Sequence, residues 1–444
     1  MTNNFGFWTL TFIVIANMIG AGVFTTSGFA IQDLKSPELV LLAWVVGGVI
    51  AAAGAFSYGM LIKAMPESGG EYLFLSRATH PLLGFIAGWV SLIAGFSGAI
   101  AFAATAFEEY AMPESLRPQW LPAGLLAIVS VVLAGLFHGM RPRAGAVLQN
   151  VTVVLKLILL VTILCFSAVA LSEENEISQS FISPNMSLNW SMTVTFAASL
   201  VWISLSYSGF NAAVYIAGEV SGAKQLVPKA LLAGTLTVVI LYLLLNAVFV
   251  YAGPGEVIEG KADVAAVAAR SLGGPAFESF VRWTIAACLL TSVFSMMMAA
   301  PRVYAKMADD GLMPEALSFQ GERPMVATGT QVVLAAILIY ATSLQGLLSY
   351  LGLTLSISAA CSVLCLFLPS VRTKPLWHPI FLVPTVFIVC TVITAGLMAA
   401  YNPWQLLGTS ITFVVGALAY SIARLIAKVS PGNQNVPDFA ANKD

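Results

Sequence analysis

Met18-Ile19-Gly20-Ala21-Gly22-Val23-Phe24 lies near the middle of the first long apolar run of the chain, about residues 8–30. A run of that length crosses a bilayer as a helix. Two glycines at its centre weaken the helix and permit local unwinding. Unwound backbone at that depth is tolerated only where it is buried in protein or lines a cavity. A second such stretch, Ser204-Leu205-Ser206-Tyr207-Ser208-Gly209-Phe210-Asn211, falls in the sixth apolar run, where a plain anchor helix would be aliphatic. Interruptions in corresponding helices of two halves of a chain point to a transporter site. Half-helix N-termini then face an anionic group and freed carbonyls face a cationic one, which suits a zwitterionic amino acid. Close packing through small residues is the competing reading of each stretch alone. The pairing of the two at the repeat spacing favours a site. The halves share no evident sequence identity, so the repeat is inferred from span order.

The rest of the chain agrees with a membrane setting. Of 444 residues, 59% are apolar and only 9% charged, and the mean hydropathy is +0.89. Ordinary soluble domains carry about 25% charged residues. A formal net charge of −1 offers no polycation to a nucleic-acid backbone. Twelve apolar runs are long enough to span, at about 8–30, 38–63, 81–108, 121–138, 146–172, 191–217, 229–253, 275–305, 326–343, 346–369, 377–400 and 403–425. The first starts at Phe7 without a basic leader or a small-residue cleavage site, and is read as a span. With both termini assigned to the cytoplasm, fourteen Lys and Arg fall on inner segments, five on outer ones, and one, Lys156, inside a span. That asymmetry follows the positive-inside rule. The expected fold is an all-α polytopic membrane protein with twelve helices. One transmembrane domain covers 1–425, with repeat one at about 8–172, repeat two at about 191–369 and trailing helices at about 377–425; residues 426–444 form a cytoplasmic tail. No soluble domain is inserted that could hold an ATPase or a catalytic unit.

Four stretches resemble the amino acid–polyamine–organocation superfamily, especially bacterial amino acid permeases and L-type amino acid exchangers. They are the Met18–Phe24 segment; Pro66-Glu67-Ser68-Gly69-Gly70-Glu71-Tyr72 with Pro81-Leu82-Leu83-Gly84-Phe85 and Gly88-Trp89; Gly218-Glu219-Val220 with Val227-Pro228-Lys229-Ala230; and Arg302-Val303-Tyr304-Ala305-Lys306-Met307-Ala308-Asp309-Asp310-Gly311-Leu312-Met313-Pro314. The resemblance implies a five-plus-five inverted repeat with broken helices one and six. It implies that backbone N–H groups of Ala21, Gly22 and Val23 bind a substrate carboxylate. Carbonyls at Ile19, Leu205, Ser206 and Ser208 would meet the ammonium group. Leu205 stands where the family often has an aromatic gate, and Trp202 and Phe210 flank it as substitutes. Asn211 stands where some relatives carry a coupling acid.

Lys156 lies deep in the fifth run among Val153, Val154, Leu155, Leu157 and Ile158. A cation there is costly unless paired, and is functional by default. Relatives with a lysine at this place look sodium-independent, the ammonium replacing a sodium ion. The expected partners are carbonyls of the broken first helix and the hydroxyls of Ser292 and Ser295.

The broken segments hold no charged side chain or histidine, which favours neutral amino acids as substrate. The function expected is sodium-independent secondary transport across the cell (inner) membrane, by exchange or proton symport. The rivals are a non-transporting receptor with a permease-like body and a carrier of amines or cationic amino acids. An enzyme would need clustered nucleophiles, bases or metal ligands; His80, His138 and His378 do not cluster, and no metal or cofactor is expected. Residues 109–120 contain no cysteine, so no disulfide-linked heavy subunit is expected. Five cysteines sit in apolar runs, Cys361 and Cys365 on one helix face. Glu108 and Glu109 read as a solvated helix end, Asn246 as a cross-helix donor or acceptor, and Glu71 with Arg77 as a candidate inner ion pair.

Overall fold

A computed structural model describes residues 6–140, 145–173, 190–252, 255–309, 313–318, 325–372 and 374–429. Among them all regular structure is helical. The main elements are α1 (Phe7–Met18), α2 (Gly22–Leu34), α3 (Pro37–Ala64), α4 (Gly70–Ala78), α5 (Pro81–Val90), α6 (Ala99–Ala111), α7 (Leu125–Met140), α8 (Gly145–Glu173), α9 (Trp190–Ser206), α10 (Ala223–Tyr251), α11 (Gly255–Ile258), α12 (Val264–Asp309), α13 (Met325–Ala341), α14 (Leu344–Leu364), α15 (Leu382–Tyr401) and α16 (Pro403–Val429). Seven helical stretches are long and apolar enough to cross a membrane, eight if α1 and α2 count as one bent span. Four further apolar helices, Leu125–Phe137, Lys156–Val169, Trp190–Ser206 and Met325–Ala341, are shorter. The chain is a multi-pass membrane protein.

Local chemistry sets the helix ends. Ser36 caps α3 by accepting from the Leu39 N–H at 3.2 Å, with Pro37 at the first position and Glu38 in the first turn. His80 and His378 do the same before Pro81 and Pro379, each ring accepting a backbone N–H two residues on. These two histidines are structural caps; the His138 side chain lies outside the described ones. Two features carry no periodic signal. A π-helical segment, Ser91–Gly98, joins α5 to α6, and α12 is broken at Gly273 and Gly274. Residues 264–272 therefore form a short helix ahead of the long remainder of α12.

Burial places the broken helix at the centre. Eleven of the thirteen residues of α2 are buried, Thr25, Thr26 and Ser27 among them. A helix buried on every side, polar residues included, belongs to the interior of the bundle rather than to a lipid-facing wall. It packs against α9, which also meets α3, α14 and α15, while α10 runs along α1 and α3. The last helix, α16, is mostly exposed and touches the bundle at α5, α14 and α15.

Glu108 differs from its reading as a solvated helix end. Its side chain is 3% exposed. It accepts the backbone N–H groups of Gly124 (2.7 Å) and Ala127 (2.9 Å), and pairs with Arg117 at 3.1 Å. A carboxylate at the start of α7 satisfies N–H groups that the helix itself leaves unpaired and favours its dipole. Glu109, one residue on, is more exposed and 3.8 Å from the same arginine. Removing one partner of a buried pair costs about 3 kcal/mol. Glu108→Ala is therefore expected to shorten the thermal half-life of the purified protein severely, while Glu109→Ala leaves it near wild type.

Candidate functional site

Two breaks meet in the middle of the bundle. The first lies between α1 and α2, whose axes differ by 42°. Ile19 leaves the helix with φ −73° and ψ 91°. The second follows Ser206, where Gly209 turns with φ +97° before a short 3-10 helix, Ala212–Glu219. The breaks touch. A Cβ on Gly209 would lie 2.7 Å from the Asn17 carbonyl oxygen, and one on Gly22 would lie 2.7 Å from the Ser206 Cα. Thr26 and Ser206 share a hydroxyl hydrogen bond of 2.9 Å across the seam.

Lys156 reaches this seam from α8. Its ammonium, 8% exposed, donates to Ser292 Oγ at 2.5 Å and to the Ile19 carbonyl at 3.5 Å. Ser292 in turn donates to the Cys288 carbonyl at 3.0 Å. So one cation ties α8 and α12 to the carbonyl that the break frees. The Ser295 side chain lies outside the described ones.

A second set of bonds, from α3 and α10, fixes the same broken helix. Tyr242 of α10 donates to the Met18 carbonyl at 2.6 Å. Trp44 Nε1 donates to Ser27 Oγ at 2.9 Å, and Ser27 donates to Asn246 Oδ1 at 2.6 Å. Asn246 Nδ2 closes the chain on the Tyr242 carbonyl at 2.8 Å. Trp44, Tyr207 and Tyr242 pack ring against ring with centroids 5.3–5.6 Å apart. A buried polar chain with every member satisfied is rigid and specific.

Aromatic layers lie on both sides of the breaks. Trp202 packs edge-on against Phe29 and Tyr401 and donates Nε1 to Ser349 at 2.7 Å. On the other side Phe210 packs edge-on against Tyr58 and Phe387. Asn211 Nδ2 donates to Glu71 Oε1 at 2.5 Å. Glu71 takes Tyr58, Asn211 and Tyr215, while Arg77 pairs with Glu67 at 3.1 Å; the expected Glu71–Arg77 pair is replaced by this arrangement. Along its length α2 is held by Tyr110 donating to the Phe24 carbonyl (2.7 Å), Gly260 N–H to the Gly28 carbonyl (2.8 Å) and, near the Lys35 end, Tyr401 donating to Asp33 (2.6 Å). Among the described residues, no group of three His, Cys, Asp or Glu side chains is arranged to hold a metal.

With two touching breaks, a lysine at the first and an aromatic layer on each side, the comparison with known proteins is decisive. A model of the amino acid permease family matches residues 5–422. The chain belongs to this family. It is similar to the b(0,+)-type amino acid transporter 1 of Mus musculus, 27% identical over 256 residues, which are 56% of this chain and 52% of the relative. The human b(0,+)-type amino acid transporter 1 is 23% identical over 92% of this chain and 85% of its own. The serine/threonine exchanger SteT of Bacillus subtilis is 25% identical over 73% of this chain and 74% of its own. Against the mouse relative, the match spans about half the relative's length.

The permease brings most of its sequence-flagged residues together. Ile19, Ala21, Gly22 and Val23 lie at the first break, and Leu205, Ser206 and Ser208 at the second. Gly22 and Val23 are the first two residues of α2, where N–H groups have no partner within the helix. The Leu205 carbonyl accepts the Ser208 N–H at 3.0 Å. Trp202 and Phe210 are separated, one to each aromatic layer. What the sequence reading missed are Tyr242, Trp44 and Ser27, whose only local signal is polarity or an aromatic ring inside an apolar run.

Proposed function

We propose that this permease is a sodium-independent secondary transporter of neutral amino acids in the cell membrane. It works by alternating access, as an exchanger or a proton-coupled symporter. Its twelve spans form a five-plus-five inverted repeat, about 8–172 and 191–369, with two trailing helices and both termini in the cytoplasm. The observation that carries this reading is Lys156 on the Ile19 carbonyl and Ser292 hydroxyl at a break between two half-helices. An ammonium at that place supplies a fixed positive charge that a bound sodium ion would otherwise provide. It leaves the start of α2, with Ala21, Gly22 and Val23, to hold a carboxylate. The carbonyls of Ser206 and Ser208 are the acceptors for the amino group.

Neutral side chains fit best. The two breaks present backbone, hydroxyls and Leu205, with Lys156 already engaged, so an acidic or basic side chain would be left unpaired in an apolar surround. Two of the relatives carry names that fit. One is named a serine/threonine exchanger, and another, 24% identical over 69% of this chain, is the large neutral amino acids transporter small subunit 2 of Rattus norvegicus.

Uptake of a panel of labelled amino acids into proteoliposomes tests this. Neutral amino acids are expected to enter in sodium-free buffer, faster with internal amino acid for exchange, or with an inward proton gradient for symport. Strict sodium dependence, or no flux under any gradient or trans-loading, would overturn the proposal.

A further inference from the structure

Glu71 is a carboxylate with only 6% exposure, on α4, outside the substrate seam. Its Oε1 accepts Tyr58 OH at 2.8 Å and Asn211 Nδ2 at 2.5 Å, and its Oε2 accepts Tyr215 OH at 2.6 Å. Tyr58 belongs to α3. Asn211 and Tyr215 belong to the chain leaving the second break. One side chain therefore joins three elements, and each of these three donors is neutral. The neighbouring loop adds a second fastening, the Gly218 N–H on Ser68 Oγ at 2.9 Å. Phe210, next to Asn211, lies edge-on to Tyr58 with centroids 5.5 Å apart.

With all three donors in place the carboxylate is satisfied in a water-poor setting. With one donor withdrawn, a charged oxygen is left short of partners and must be reached by water. Resting on the transporter reading and on its cytoplasmic placement of α4, we propose that Glu71 is the latch of the cytoplasm-facing gate. Its carboxylate holds the exit of the second broken helix against α3, and release of Asn211 and Tyr215 opens the path from the breaks to the cytoplasm. Glu71 is a positioning residue: it acts through Asn211, Tyr215 and the Phe210 layer.

Glutamine at this position tests the idea with the shape kept. Its single amide oxygen accepts, but its NH2 group points a donor at donors. A native thiol reports the outcome. Cys365 is buried, and its Sγ lies 4.0 Å from the carbonyl of Phe74, three residues beyond Glu71 on α4. Ser199→Cys places a second thiol at a buried position of α9 on the other side of the break. Maleimide labelling of both is read by peptide mass spectrometry on protein that is also assayed for uptake in proteoliposomes. Glu71→Gln is expected to raise the Cys365 labelling rate about tenfold, the worth of one or two lost hydrogen bonds, and to leave the α9 thiol as slow as before. Tyr215→Phe, which removes one bond and folds with less risk, is expected to give a smaller rise of the same kind. Unchanged Cys365 labelling in both variants, or an equal rise at both thiols, overturns the latch. Absence of transport by the wild type instead defeats the transporter reading, and the two failures are distinguishable.

Discussion

Lys156→Met is expected to cut amino acid uptake about 10- to 100-fold while leaving the protein at least as stable as the wild type. The two halves of that statement have different causes. The ammonium makes a charge-assisted bond to Ser292 Oγ and a longer one to the Ile19 carbonyl. A hydrogen bond to a charged group contributes about 1.5–3 kcal/mol, and about 1.4 kcal/mol is a tenfold change in an equilibrium. If those bonds set the position of the first break for substrate, their loss appears in uptake at that scale. Stability obeys another balance. Holding a cation 8% exposed inside a bundle is costly, and methionine fills similar volume without it. Ser292 keeps its bond to the Cys288 carbonyl, and the Ile19 carbonyl gives up only the long bond of 3.5 Å, a smaller loss than the desolvation of the cation that the variant removes. A merely structural lysine would show the reverse: uptake lost only in step with thermal survival. Uptake and thermal half-life measured on the same preparation separate the two, and retained uptake in Lys156→Met would remove the basis for sodium replacement.

How legible this was in the sequence depended on whether a residue's meaning is local. The breaks were readable because Gly20, Gly22 and the Ser204–Asn211 stretch interrupt apolar runs in place. Lys156 was readable because the bland alternative, a side chain snorkelling to the interface, is weak for a lone cation at that depth. Where an apolar run ends at a clear polar or proline boundary the helix limits agree, α3 over Pro37–Ala64 against an expected 38–63; where the chain breaks they do not, α9 ending at Ser206 against 217 and α12 starting at Val264 against 275. Residues whose role lies in a distant partner were not readable. Glu71 is an ordinary loop carboxylate until Tyr58, 13 residues away, and Tyr215, 144 away, are brought to it. Glu108 looked like a solvated end because its partners at Gly124 and Ala127 belong to the next helix. Tyr242 carries no signal at all beyond being a tyrosine between leucines. The π-helical segment Ser91–Gly98 likewise has no periodic signature, since its residues are apolar or small on every face and offer no polar stripe whose phase could shift.

The second break offers the other large effect. Gly209→Ala is expected to destabilise the protein by about 3–4 kcal/mol and to abolish uptake, whereas Gly222→Ala costs about 1 kcal/mol and leaves uptake intact. Both glycines have left-handed backbone, φ +97° and +78°, so both alanines carry the strain of that conformation, about 1–2 kcal/mol at most. They differ in surroundings. A Cβ on Gly222 meets nothing within 4 Å, but one on Gly209 lies 2.7 Å from the Asn17 oxygen, 2.8 Å from its carbon and 3.1 Å from the Met18 nitrogen. All three are backbone atoms of the end of α1, so no flexible side chain can yield. The displaced backbone carries function with it. Met18 presents the carbonyl held by Tyr242, and Ile19 the carbonyl held by Lys156. Pushing the second break outward by the few tenths of an ångström that an alanine needs therefore disturbs the anchors of the first. The two breaks behave as one mechanical unit, and the pair of alanine variants, compared for thermal half-life and uptake, measures that coupling. Equal behaviour of Gly209→Ala and Gly222→Ala would show that the backbone strain alone matters and that the contact between the breaks does not.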